Sequence, residues 1–285
     1  MENTAGLEVK EDLRQSVEYG RYMERIGWKV TRIQSKQKIQ IFIRKLGLVG
    51  IAKIQRVKLP LPWKKIEEVL RRERAFTCKL EPIIPPGSPF GHPGGDWKGF
   101  KQDGWPLLGT KTQRVNLRPS EKDIFESFKK DARYVLRKLQ DARYKIQINK
   151  FEDFYETWRK SARRKNLWIP KQKDYRALVD CFGKKCFCIT AGELAGALIL
   201  THRGTAYYYY AGATKTGNEQ NLPYLAVWEA MKESKGRGCR VWDWEGIYDA
   251  RWPNKGWRGF SHFKKSFGGR EVEYPGCFNR WQWPW

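Results

Sequence analysis

The sequence predicts a mixed α+β fold organised as two tandem domains, each a mostly antiparallel central sheet flanked by helices. Three observations carry this. The chain has 285 residues, and compact units of about 100–150 residues are the usual domain size, so two units are expected. Two stretches alternate apolar and polar residues between turn signals, the period of strands. Each is followed by a helix-period segment and a further strand, so one element order occurs twice, abbreviated in the first half.

From Gly27, GWKVTRIQSKQKIQIFIRKLGLVGIAKIQRVKL alternates, with turns at Ser35-Lys36 and Gly47 to Gly50, and reads as a strand meander. LPWKKIEEVLRRERAF is a helix with Ile66, Val69 and Leu70 on one side, and TCKLEPIIP a strand. Residues 83–109 are rich in Pro and Gly. An irregular segment of that length is either a functional lid or a disordered excursion. TQRVNL resumes as a strand, and Ser120-Glu121-Lys122-Asp123 resembles a capping box opening one long helix through Gln140. The expected domains are 1–145 and 146–270, with the tail 271–285 packing back on the first.

The second domain opens with the short strand YKIQI. In FEDFYETWRKSARRKN, Phe151, Phe154, Tyr155, Trp158 and Ala162 fall on one helical face, while Arg159, Lys160, Arg163 and Arg164 fall on the other. The helix KQKDYRALVDCF precedes three strand-like runs, KCFCITAG, ELAGALILTHRG and TAYYYYAGAT, which form an antiparallel meander turning at Gly192 and Gly204. Asn221 can cap, and Pro223 open, a helix through Lys235. CRVWDWEG then reads as a buried strand. This order resembles that of acyl-CoA N-acetyltransferase-like domains.

Composition narrows the partners. Lys and Arg number 56 against 31 Asp and Glu, a net charge of +25, which points to a polyanion such as nucleic acid, phosphorylated metabolites or anionic lipid. Two basic runs, 129–145 and 159–173, hold seven cations each. The six cysteines contain no CxxC pair and the histidines at 92, 202 and 262 are scattered, so no metal-ligand set is expected. The charged start MENTAGLEVKEDLRQ has no apolar core and no stretch of eighteen apolar residues occurs, so a cytoplasmic chain is expected. The aromatic and basic CFNRWQWPW leaves peripheral membrane contact open.

Several segments, in order, resemble the FemABX family of aminoacyl-tRNA-dependent peptidoglycan bridge transferases, over about residues 12–278. They are LRQSVEYG, KLEP, TQRVNL followed by a cation-rich helix with Arg133, YYYYAGAT, and VWDWEGI with FKKSFGG. The last pair is the most specific. The chain departs from the family in its Gly/Pro-rich 83–109 segment, its lack of an inserted coiled-coil arm and its Trp-rich tail.

The resemblance implies twin N-acetyltransferase-like domains and aminolysis of an aminoacyl-tRNA ester by the stem-peptide amine of a UDP-linked or lipid-linked muramyl pentapeptide. Aminoacyl-tRNA serves as co-substrate, and no cofactor or metal is implied. It places the functional lysine at Lys264, beside Phe263. Glu81 becomes a candidate base or amine-orienting group, because an amine nucleophile of pKa near 10.4 must lose a proton. Arg21 and Arg164 are the candidates for the acceptor's diphosphate, with Tyr208 and Tyr210, on one side of an alternating strand, offering hydroxyls and ring faces. Lys129, Lys130, Arg133, Arg137 and Arg163 form the surface expected to track tRNA phosphates. Asp243, on a buried strand before Gly246, is expected to orient the loop leading to Lys264.

Two alternatives stay open. One is an acyl-CoA N-acyltransferase, which wants a pyrophosphate-binding loop at a helix start, where this chain has TKTGNEQNLPYL and Pro223 removes one amide. The other is an RNA-binding protein without catalysis.

Overall fold

The computed structural model describes residues 7–35, 37–83, 99–254 and 256–282. Residues 84–98, on which the lid reading largely rests, and the tryptophans beyond 282 lie outside the described residues. The chain forms two compact units. One, the amino-terminal unit, comprises 11–111 with 249–253 and 273–285. The other, the carboxy-terminal unit, comprises 112–248 and 254–272 with 1–10.

The amino-terminal unit contains helix α1 (Val17–Arg25), strands β1 (Lys29–Gln34), β2 (Lys38–Leu46) and β3 (Val49–Lys58), helix α2 (Trp63–Arg72), and strands β4 (Ala75–Ile83) and β5 (Lys101–Asp103). Strands β1 to β3 pair antiparallel and β3 pairs parallel with β4, with α2 as the crossover. A strand from far along the chain, Cys277–Trp281, enters antiparallel between β4 and β5. Ile39, Ile41, Ile54, Leu80 and Phe278 form the core with Ile66 and Leu70 of α2.

The QSVEYG segment has a packing explanation residue by residue. Gln15 donates from Nε2 to the Gln55 carbonyl at 2.6 Å and accepts the Gln40 amide at 2.8 Å, tying the segment to β2 and β3. Ser16 caps α1 by accepting the Tyr19 N–H at 3.1 Å. Tyr19 packs edge-on against Phe42 at 5.7 Å. A Cβ at Gly20 would lie 2.3 Å from Gln40 Oε1.

The carboxy-terminal unit runs β6 (Lys111–Asn116), α3 (Glu121–Glu126), α4 (Lys130–Asp141), β7 (Ile146–Ile148), α5 (Phe151–Arg164), α6 (Gln172–Phe182), β8 (Cys186–Ala191), β9 (Ala195–His202), β10 (Thr205–Ala213), α7 (Lys215–Glu219), α8 (Leu222–Gly236), β11 (Val241–Asp243), α9 (Trp257–Lys265) and β12 (Arg270–Glu273); the strand Cys277–Trp281 is β13. Its sheet is ordered β12-β6-β11-β10-β9-β8-β7. Only β10 and β11 are parallel among the pairs whose register is defined, with α8 between them in sequence. A meander, a crossover helix and a parallel strand thus occur in both units.

Helix α5 sits close on one face of this sheet. A Cβ at Gly212 would lie 2.7 Å from the Trp158 backbone and one at Gly196 2.9 Å from the Phe154 ring. The other face is the larger core, where Trp228 and Met231 of α8 meet Ile189, Ala197 and Ile199.

Three local readings change. The single helix expected over 120–140 is broken, because Lys129 adopts an extended backbone and donates its N–H to the Ser266 carbonyl at 2.8 Å. Phe128 is thereby held edge-on to Phe267 and Trp228 at 5.1 and 5.4 Å. Asn221 has left-handed backbone (φ 58°) and makes no side-chain cap. The division between units falls at 111/112 rather than 145/146, because β6 pairs with β11 and α4 packs on α8.

Candidate active site

The site begins where β10 and β11 part. They are paired from Thr205/Val241 to Tyr207/Asp243 and no further. Asp243 is buried and fully engaged: Thr112 Oγ1 donates to it at 2.7 Å, Arg114 Nε at 2.8 Å and the Glu245 amide at 2.9 Å. Burial opposes its charge, but the Arg114 guanidinium and these hydrogen bonds prevail and hold the carboxyl below its usual range.

The bond to the Glu245 amide fixes a turn in which Glu245 takes φ 63°. The carbonyls of Trp244 and Gly246 then converge on Lys264 of α9, whose Nζ donates to them at 2.9 and 2.6 Å. Aromatic rings surround the ammonium, with Phe260, Tyr208 and Trp244 centroids at 4.9, 5.6 and 5.9 Å. Burial lowers the Lys264 pKa to about 8, against the raising pull of Glu245 and Asp243. An ammonium has three N–H donors. Two are committed to carbonyls, and the third meets no acceptor among the described residues.

Phe263 turns the other way. It packs against Tyr224, Phe267 and Trp244 at 4.8, 5.3 and 6.0 Å, anchoring α9 so that the next residue faces the loop. The two glycines after Phe267 are needed by close approach. Gly268 (φ 67°) and Gly269 (φ 94°) would place a Cβ 2.6 Å from the Ser127 carbonyl oxygen and 2.3 Å from that of Arg114.

Tyr208 and Tyr210 do not share a side of the strand. The register shifts between them, so Tyr208 pairs with Ile199 and Tyr210 with its neighbour Leu198. Tyr208 joins the Lys264 cluster through Trp242 and Trp244 at 5.7 and 5.0 Å. Tyr210 stacks on Trp158 of α5 at 4.1 Å, on the opposite face. At the end of α5, exposed Arg164 donates to the Ala213 carbonyl at 3.3 Å.

In the amino-terminal unit, Glu81 is buried and accepts the amides of Leu107 and Leu108 at 2.8 Å each and the Gln55 side-chain amide at 2.8 Å. Lys53 lies one strand away, on β3. It lies 4.6 Å over the Trp28 ring and 5.7 Å over Phe42. Burial lowers its pKa to about 8, opposed by Glu81 and assisted by Arg14. The sequence shows only that strand alternation puts Lys53 on the face of Gln55; the pairing with Phe42 comes from the fold. Arg21 is exposed on α1.

Among the expected tRNA contacts, Lys129, Lys130 and Arg163 are exposed. Arg133 and Arg137 converge on Glu126 at 3.1 and 3.4 Å. Among the described residues, no group of three or more His, Cys, Asp or Glu is placed to hold a metal ion, and no helix is long and apolar enough to cross a membrane.

The fold is thus α+β, two units each built on a meander, a crossover helix and a parallel strand, with a desolvated lysine where the parallel strands of one unit diverge. The comparisons agree. Residues 190–282 match the model of the FemAB family. The solved structure of FemX aligns with a TM-score of 0.78 at 13% identity, covering 95% of this chain and 92% of that one. L-PGS from Bacillus licheniformis aligns at TM-score 0.59 and 11% identity, over 91% and 86% of the two chains. A tandem GNAT protein from the clavulanic acid biosynthesis pathway aligns at 0.53 and 10%, over 90% and 83%. No match was found among curated proteins. The chain is thus similar to the FemAB family over residues 190–282, within a fold that it shares with FemX.

Proposed function

We propose that the chain is an aminoacyltransferase that moves an amino acid from aminoacyl-tRNA onto the stem-peptide amine of a muramyl pentapeptide precursor, nucleotide-linked or lipid-linked, to build the interpeptide bridge. The observation that carries this reading is the Lys264 ammonium, held by two loop carbonyls among aromatic rings with one donor uncommitted.

In the reaction the acceptor amine attacks the ester carbonyl. A C–N bond forms, the carbonyl oxygen becomes an alkoxide, and the C–O bond to the terminal ribose then breaks. The proton lost by the amine ends on the ribose oxygen. A preorganised donor aimed at the transient alkoxide or the leaving oxygen in a dry site contributes about 3 kcal/mol, the task given to Lys264. The ester supplies the driving force, so the reading requires no cofactor. Phe263 anchors the helix, and the Tyr208 ring faces the ammonium. Arg21 on the amino-terminal unit and Arg164 on the carboxy-terminal unit each remain a candidate for a phosphate of the acceptor, and Tyr210 for a sugar or peptide contact. Glu81, with three donors on its carboxylate, is assigned to holding the segment around Leu107 rather than to taking the proton.

The test is transfer of radiolabel from a mixed pool of charged tRNA to muramyl pentapeptide precursors, with acetyl-CoA as the competing donor and Lys264→Ala as control. Label should pass from tRNA to the precursor and fall about 100- to 1,000-fold in Lys264→Ala. Label arriving only from acetyl-CoA would replace this reading with an N-acyltransferase, and tight tRNA binding without transfer would replace it with an RNA-binding protein.

A further inference from the structure

The segment joining α5 to α6 presents apolar side chains outward without need of the fold. Helix α5 ends with Asn166 in the left-handed conformation (φ 51°). The Asn166 N–H bonds to the Arg163 carbonyl at 3.2 Å and the Leu167 N–H to the Ala162 carbonyl at 2.9 Å, the paired bonds of a Schellman close. The apolar residue at Leu167's place in this motif commonly folds back on the helix. Here Leu167 is 60% exposed, and Trp168 beside it 83%. The far end of the segment is pinned, because the Tyr155 hydroxyl donates to the Pro170 carbonyl at 3.1 Å. The Leu-Trp pair is therefore the tip of a fixed turn.

Along the chain the charge flanking this tip has one sign. Between Arg163 and Lys173 the chain carries five cations, Arg163, Arg164, Lys165, Lys171 and Lys173, and no carboxylate. All five are exposed. Partial desolvation of the Lys165 ammonium, together with the neighbouring Arg164 charge, holds it below the ordinary lysine range.

We infer that the Asn166-Leu167-Trp168 turn docks the carboxy-terminal unit on an anionic lipid surface, the leucine and indole entering the interface while Lys165, Lys171 and Lys173 meet lipid phosphates. Indole rings favour the headgroup level of a bilayer and the leucine side chain the acyl boundary beneath it. Lysine and arginine stems reach from there toward the headgroups. Nucleic acid would use the cations and offer a stacking partner for the indole, but it gives an outward leucine no apolar medium. The pairing of Leu167 with Trp168 is what selects a bilayer.

The test is co-sedimentation of the full chain with vesicles of phosphatidylglycerol and phosphatidylcholine, and with phosphatidylcholine alone, alongside a filter-binding assay with total tRNA. Wild-type protein should sediment with the anionic vesicles only, and Leu167→Ser/Trp168→Ser should weaken that binding at least about tenfold while retaining tRNA. Both substituted side chains are at the surface, so an unchanged melting temperature shows that the variant folds. Undiminished vesicle binding by the double variant would overturn the inference, as would an equal loss of tRNA binding, which would assign the turn to nucleic acid. Because tRNA-dependent transfer to a soluble nucleotide-linked acceptor needs no bilayer, it can succeed or fail separately.

Discussion

At the residue scale the chemistry rests on the state of one ammonium. With burial lowering its pKa from 10.5 to about 8, Lys264 is charged in both folded and unfolded chains below pH 8, and the folded state bears the desolvation cost there. Between about pH 8 and 10.5 the unfolded chain binds more protons, so this group's contribution to stability rises with pH. Catalysis by the cation runs the other way. Transfer should fall as pH increases through about 8, while the stability gap between wild type and Lys264→Met shifts in favour of wild type; a pH profile of kcat/KM beside urea melts at the same pH values reads both.

Glu81 offers the complementary case. The Gln55 side-chain oxygen is buried without a hydrogen-bond partner, so in Glu81→Gln the new amide can donate to it after a flip of the Gln55 side chain. Activity should then change by less than about tenfold, whereas loss of a general base costs about 100- to 10,000-fold. Measuring kcat and KM separately in Glu81→Gln decides the matter.

The sequence marks Lys264 through its place in FKKSFGG. It does not show that the carbonyls of Trp244 and Gly246 would hold the ammonium, because that depends on the turn at Glu245. Lys53 was illegible for a related reason: strand alternation assigns it to a face but does not say that the face is an aromatic-lined one.

At the scale of elements, glycine and a bulge control the site more than propensity does. Gly268 and Gly269 let the chain pass the Ser127 and Arg114 carbonyls with positive φ. Each changed singly to Ala should lose at least about 3 kcal/mol in urea denaturation; a loss below about 1 kcal/mol would mean that the close approaches relax. The bulge on β10 defeats the two-residue rule that would join Tyr208 to Tyr210, since one extra residue rotates all that follows to the other face. The break between α3 and α4 escapes helical periodicity too. It comes from a bond between Lys129 and Ser266, far apart in sequence.

Across the whole molecule the dominant property is its excess of positive charge, which favours nucleic acid and anionic surfaces at long range. Not every cation is equally ready, because Glu126 holds Arg133 and Arg137. Glu126→Gln should tighten tRNA binding severalfold at low salt, the gain shrinking as salt is raised. Filter binding across a salt series measures it, and an unchanged affinity would remove these arginines from the RNA surface. The alternation and helix periods made the repeated α+β order readable, but the place where the units divide followed from strand pairing distant in sequence.

That pairing sets an order of events during synthesis. Thr77 on β4 bonds to Asn279 on β13 across 202 residues, and β5 pairs in its sheet through β13. A nascent chain that has completed β1 to β4 still exposes a bare strand edge until the whole of the carboxy-terminal unit's sequence has followed. Such an edge is a template for pairing with other chains. The interval before β13 arrives is thus one in which the edge of β4 is open to pairing with another chain.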